Sequence, residues 1–147
     1  MLVSACLLGV RCTHVGGHEA RPAVLALVDR HRVVPVCPET AGGLPTPRPA
    51  AERSAVDGRV RTADGTDVTD AYERGAAHAV ALAAASGATV AVLKARSPSC
   101  GCAEIYDGTF TRTRVPGEGV TAAALRRAGV VVVDEDDVAA GGVPTTS

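Results

Sequence analysis

Tryptophan is absent from this chain of 147 residues, and two Tyr and one Phe are its whole aromatic complement. Its core therefore cannot be built around large rings. Hydrophobic residues still make up 46% of the sequence, chiefly Ala and Val. The interior must consist of many small aliphatic contacts, as where helices lie closely on a parallel sheet. Positive charge is not in excess: the formal net charge is -1, which excludes broad nucleic-acid binding through a basic face. Lysine is almost missing, with Lys94 alone among 15 cations. No apolar run is long enough to span a bilayer. Nor does the N-terminus carry a charged segment ahead of an apolar one, as a secretory signal would; it opens directly on an apolar strand. The expected setting is the cytoplasm, with no membrane partner. None of the five Cys forms a C-x-x-C pair, so the paired knuckles of a structural zinc site are missing. In a reducing compartment Cys residues serve as ligands or reactive thiols more than as a disulfide framework, and an odd number cannot all pair.

The length suits one domain with a proper core. The expected boundaries are residues 1–141 for the domain and 142–147 for a flexible, fraying tail. The most informative stretch is Val90–Cys102. Val90-Ala91-Val92-Leu93 is an apolar run suited to a buried parallel strand. Lys94-Ala95-Arg96-Ser97-Pro98-Ser99-Cys100-Gly101-Cys102 follows, where Pro98 and Gly101 forbid regular structure and a loop must leave the strand's carboxyl end. Three other strands are legible: Met1–Ala5, Val33–Val36 with Pro35 marking an edge or a bulge, and Val130–Val133. Helices are expected from Arg21-Pro22 to near His31, from Asp67 or Thr69 to Ser86 with Gly87 closing it, and from Val120 to near Arg127. The Gly- and Pro-rich segment from Thr40 to Glu52 reads as a long loop without helix or central strand. Arg59–Thr62 reads as part of an exposed hairpin bracketed by two Asp-Gly pairs, and Asp134–Asp137 as a solvated acidic end. The alternation of strands and helices implies a three-layer α/β/α, Rossmann-like fold around a small, mostly parallel sheet with right-handed crossovers.

In such a sheet the carboxyl ends of the parallel strands share one edge, where open α/β sheets place their ligands. Cys6, Cys37 and Cys100 each follow a different strand at that edge, so the topology gathers three thiols that the sequence disperses. Three thiols without a nearby fourth ligand suit a metal centre with one open position. A 4Fe-4S cluster held by three Cys leaves one iron free, and softness favours a sulfur-bearing substrate there. Zinc is the weaker metal alternative, because structural zinc sites are closed and four-coordinate. On spacing alone a plainer alternative stays open, that Cys6 and Cys37 are small core hydrophobes.

Several separate motifs carry a family resemblance. Ser4-Ala5-Cys6-Leu7-Leu8-Gly9, Val36-Cys37-Pro38-Glu39, Gly42-Gly43-Leu44-Pro45-Thr46-Pro47-Arg48 and Ser97-Pro98-Ser99-Cys100-Gly101 are four of them. Tyr106-Asp107-Gly108-Thr109-Phe110 and Pro116-Gly117-Glu118-Gly119-Val120-Thr121 complete the set. In these motifs and in their order the chain resembles the thiouracil desulfurases (desulfidases), long catalogued as domain of unknown function 523, from Met1 to about Val133. The resemblance implies a 4Fe-4S enzyme that takes sulfur from a small thiolated nucleobase without net redox chemistry, releasing sulfide and leaving the oxo base. It implies Cys6, Cys37 and Cys100 as the cluster ligands, with one iron open, and Glu39 and Ser97 as the catalytic pair. Glu39 would activate water or shuttle its proton; Ser97 would hydrogen-bond the reacting centre or relay a proton.

Cys12, six residues after Cys6, is the rival ligand and reads first as a buried thiol beside the others. Cys102 stands where many relatives are expected to carry Ser or Gly, and is a spectator, a surrogate ligand or a disulfide partner. Lys94 and Arg96 balance cluster charge, hold a pyrimidine carbonyl or simply solvate the loop. Arg48 contacts substrate or pairs with a carboxylate, and Glu52 reads as the ion-pair partner of an Arg. Asp107 belongs first to a turn. His14 and His18 are candidates to line the pocket, His31 and His78 ordinary helix residues. Two other functions fit the sequence: a metal-free thiol enzyme with Cys100 as nucleophile and Cys102 resolving it, and a non-catalytic metal-binding sensor module. The closeness of Glu39 to Cys37 favours an enzyme.

Overall fold

In the computed structural model, which describes residues 1–144, the chain begins with β1 (Leu2–Ser4), α1 (Pro22–Leu25), β2 (Val34–Val36) and α2 (Pro38–Ala41). There follow β3 (Ala51–Arg53), β4 (Val60–Thr62), α3 (Thr69–Ser86) and β5 (Val90–Leu93). The last elements are β6 (Glu104–Tyr106), β7 (Arg114–Pro116), α4 (Val120–Arg127), β8 (Val131–Asp134) and α5 (Glu135–Ala139). One 3-10 turn continues β1 over Ala5–Leu8, and another continues α1 over Ala26–Asp29.

Four strands form one parallel sheet in the order β2-β1-β5-β8. Pro35 lies on β2, an edge strand of that sheet, where its missing N–H is tolerated. Alternation along the strands divides the core in two. Leu2, Ala91 and Leu93 meet Ala79 and Ala83 of α3 and Ala122 and Leu125 of α4. Val3 and Val92 meet Val24 and Leu27 from the α1 segment and Val138 of α5. These are the three layers expected, and small side chains fill them. Two antiparallel hairpins, β3–β4 and β6–β7, stand apart from the sheet, with β3 packed on β6.

Three expectations are corrected. The segment Thr40–Glu52 is a loop over residues 42–50, as expected, but both of its ends belong to regular elements. Pro38 supplies the first residue of α2, its fixed φ suiting a helix start, and the segment later enters β3. Nothing bulky separates α2 from α3: a Cβ on Gly42 would lie 2.0 Å from the Ala71 carbonyl oxygen, and one on Gly75 1.9 Å from that of Pro38. The two helices therefore cross backbone on backbone. The alternating run Arg59–Thr62 does form a hairpin strand, but its partner is Ala51–Arg53, and Val60 and Thr62 are buried rather than exposed. The acidic run Asp134–Asp137 is not a solvated end. Asp134 Oδ1 accepts the amides of Asp136 and Asp137, while Asp137 Oδ2 accepts that of Asp134. This capping box opens α5, and acidic groups suit the positive end of a helix.

At the C-terminus, the Gly142 amide donates to the Asp137 carbonyl at 2.7 Å and Val143 packs on the second core. The rest of the expected tail, residues 145–147, lies outside the described residues. Among the described residues no helix is long and apolar enough to cross a membrane.

Candidate functional site

A cavity of about 390 Å³ opens at the carboxyl edge of the sheet, and Cys6, Cys12, Cys37 and Cys100 all line it. Each is a free thiol. Cys6 sits in the 3-10 turn that continues β1, and Cys37 directly follows β2. Cys100 comes from the loop after β5. Since β2, β1 and β5 are adjacent in the sheet, three neighbouring strand ends deliver one thiol each.

The β5 loop is tied down by its own polar atoms. Ser4 Oγ accepts the Lys94 amide at 3.0 Å and donates to Cys100 Sγ at 3.4 Å, joining the end of β1 to the loop. Ser97 Oγ accepts the amides of Ser99 and Cys100 at 3.1 and 3.0 Å. Those two bonds leave the Ser97 hydroxyl hydrogen to donate elsewhere. Buried Ser99 and Thr121 share a hydrogen bond of 2.8 Å. Gly119 passes so near that a Cβ there would lie 2.4 Å from the Ser99 carbonyl carbon. The start of α4 thus clamps the loop, which explains the Gly119-Val120-Thr121 part of its motif.

Glu39, in the first turn of α2 and on the cavity wall, is held by one oxygen. Tyr72 Oη donates to its Oε1 at 2.7 Å and Arg48 Nε to the same atom at 3.1 Å. The Arg48 side chain is only 4% exposed against 17% for Glu39. Arg48 also donates to the carbonyls of Cys12 and Pro45 and to Thr46 Oγ1, so one buried cation binds the Pro-rich segment to the thiol pocket. Burial, with the Glu39 charge beside it, raises the Tyr72 phenol above its ordinary value, so it remains a donor. Glu39 Oε2 has no donor among the described residues. No buried side-chain oxygen among the described residues lacks a partner, so this oxygen is open to solvent, and Glu39 meets the cavity.

The thiols form a soft donor set. The Cys12 thiol, then burial, pushes Cys37 upward, and burial pushes Cys100 up to about 12. Cys12 lies between Cys37 and Cys6, pulled down by the first and pushed up by the second, and ends above its usual value. Three Cys thiols around one cavity, one from each of three neighbouring strand ends, suit a soft metal centre that keeps a position open.

Of the residues singled out by sequence, Cys6, Cys12, Cys37, Glu39, Arg48, Glu52, Lys94, Arg96, Ser97, Cys100 and His14 line the cavity; Cys102 and His18 do not. Cys102 is buried on another side, donating to Asp134 Oδ2 at 3.7 Å. With Asp134 and Asp137 it offers donor atoms within 4.8 Å, but both carboxylates already serve the α5 cap. Lys94 pairs with Glu135 and Arg96 with Asp136. Arg48 takes the carboxylate-pairing alternative. Glu52 does not pair with an Arg; it accepts the amides of Gly108 and Phe110. Sequence reasoning missed Tyr72 and Glu135. A rare aromatic on the buried stripe of α3 was the available signal for Tyr72.

Comparison with known proteins agrees with this geometry. A Bacillus subtilis protein, the uncharacterized YbbK, is 42% identical over 146 residues, covering 94% of this chain and 97% of that one. The solved structure of the 4Fe-4S-dependent thiouracil desulfidase TudS matches with a TM-score of 0.88 and 44% sequence identity, over 95% of this chain and 93% of its own. Residues 1–137 match the sequence model for 2-thiouracil desulfurase, and the chain belongs to that family.

Proposed function

We propose that this chain hydrolytically desulfurises a thiolated pyrimidine, 2-thiouracil or a close relative, with a 4Fe-4S cluster held by Cys6, Cys37 and Cys100. The observation that carries this reading is the gathering of those three thiols with Glu39 and Ser97 around one cavity. Family membership and the likeness to a thiouracil desulfidase support the substrate class.

When bound, such a cluster supplies an open, thiophilic iron that holds the sulfur and weakens the carbon–sulfur bond. Glu39 Oε2 takes a proton from water while Tyr72 and Arg48 fix the carboxylate through Oε1. The water oxygen bonds to carbon and the carbon–sulfur bond breaks. Sulfur leaves as hydrogen sulfide with the two protons of the water, and no electron is gained or lost. Ser97, whose oxygen is occupied by two amides, donates its hydrogen to the negative charge building at the reacting centre. Cys12 lies beside the ligands as a protonated thiol. One domain over residues 1–141 in a reducing cytoplasm, where free thiols persist, completes the reading. A metal-free thiol mechanism fits poorly: burial pushes both Cys100 and Cys102 up to about 12, and Cys102 is off the cavity.

The test is iron and acid-labile sulfide content, the visible spectrum and sulfide release from 2-thiouracil, on protein prepared without oxygen. Near-equal iron and sulfide with turnover is expected, abolished in Cys6→Ala, Cys37→Ala and Cys100→Ala but not in Cys12→Ala or Cys102→Ala. Glu39→Gln should keep the cluster and lose turnover. Neither iron nor sulfide after anaerobic reconstitution overturns the reading.

A further inference from the structure

The charged side chains on the cavity wall are almost all matched by opposite charge. Glu39 pairs with Arg48, Lys94 with Glu135, Arg96 with Asp136 and Glu19 with Arg21. Glu52 is the exception: no cation pairs with it among the described residues. Its Oε1 instead accepts two backbone amides, from Gly108 at 3.0 Å and Phe110 at 3.2 Å. The turn that presents them is costly to build. Gly108 has φ +97° and Phe110 φ +59°, and a Cβ on Gly108 would lie 2.7 Å from the Ser54 Cα. Glu52 Oε2 takes no donor among the described residues, and since no buried side-chain oxygen among them is unsatisfied, that oxygen is accessible. Tyr106, on β6 beside β3, lines the same cavity. In a chain with three aromatics, two of them, Tyr72 and Tyr106, meet this cavity, and the amide of the third helps to hold Glu52.

From this we propose that Glu52 and Tyr106 form the recognition wall for a planar heterocycle bearing an N–H beside its thiocarbonyl. Glu52 Oε2 accepts that ring N–H, and the Tyr106 ring lies against the face of the base. An ionised carboxylate only accepts, so this wall selects the thioamide N–H and rejects bases in which it is blocked. The inference rests on the desulfurase reading and adds the determinant of substrate choice.

Glu52→Gln makes the test sharp. The two amides require an oxygen, which turns the new NH₂ toward the open side and converts an acceptor into a donor without changing size. The measurements are kcat/KM for 2-thiouracil, 1-methyl-2-thiouracil and 3-methyl-2-thiouracil on cluster-loaded wild type and variant, with calorimetric binding of sulfur-free uracil to both. Wild type should discriminate against one of the two methylated bases by at least about tenfold. Glu52→Gln should raise KM for 2-thiouracil by a similar factor at unchanged iron content, erase the discrimination and weaken uracil binding. Tyr106→Leu should weaken uracil about fivefold while Tyr106→Phe binds it like wild type. Unchanged discrimination and uracil affinity in Glu52→Gln overturn the inference while leaving the desulfurase standing. If the loaded wild type turns over no thiouracil, the functional reading falls, and the uracil titrations alone decide the wall: equal binding by wild type and Glu52→Gln overturns it, weaker binding by the variant upholds it.

Discussion

The two faces of the sheet are built to different plans. One carries α3 and α4, whose Ala-rich surfaces let long helices lie close on Leu2, Ala91 and Leu93, with Cys100 and Cys102 in the same cluster. The other is covered by four- and five-residue helical pieces, α1 and α5, with the 3-10 turn holding Leu7. Cys6 packs against that lighter side. The thiol cavity therefore straddles a heavily and a lightly covered face, with rigidity supplied from the first and the Cys6 turn supported by the second. Short helices have little stability of their own and depend on packing, so the light face should open first.

Five substitutions break or sharpen this contrast. Gly75→Ala should do most: its Cβ meets the Pro38 carbonyl oxygen at 1.9 Å, forcing α2 off α3. A loss of more than about 3 kcal/mol in chemical denaturation is expected, with turnover reduced because Glu39 moves away from Tyr72. Leu125→Ala, on the heavy face, should cost about 3 kcal/mol and leave iron content per folded chain unchanged. Val24→Ala, on the light face, should cost about 2 kcal/mol. Its visible absorption should nevertheless bleach in air faster than that of Leu125→Ala; the reverse order would erase the distinction between the faces. Cys102→Ala should cost about 1 kcal/mol with a normal cluster spectrum. Arg61→Ala removes an exposed pair with Asp57 that belongs to neither face, and should leave the denaturation midpoint where it is in wild type.

The parallel strands were legible because residues such as Val90–Leu93 are buried on both sides and leave unbroken apolar runs. The meeting of Cys6, Cys37 and Cys100 followed from that topology without any knowledge of contacts. The roles proposed for Glu39 and Ser97 came from the family motifs. Tyr72 was hidden because its partner is chosen by a helix crossing that depends on two distant glycines, Gly42 and Gly75, and no local pattern records that. The run Asp134–Asp137 misled because four acids in a row resemble a solvated end. Here two of them satisfy each other's amides, and Glu135, 2% exposed, receives Lys94 Nζ and the Ala95 amide. β3 was missed because its partner strand lies beyond a turn, in a segment whose prolines masked three residues able to pair.

The strand order also fixes a sequence of events during synthesis. Cys6 and Cys37 leave the ribosome early, on strands that already neighbour each other, but β5 must be made before it can slot in on the far side of β1 and bring the Cys100 loop across. Gly119 and Thr121 at the start of α4, made later still, then clamp the loop. A nascent chain thus exposes the thiols of Cys6, Cys12 and Cys37 for most of its translation. The cavity edge is complete only once β5 is made, and premature oxidation of Cys6 and Cys37 would waste the chain before Cys100 arrives.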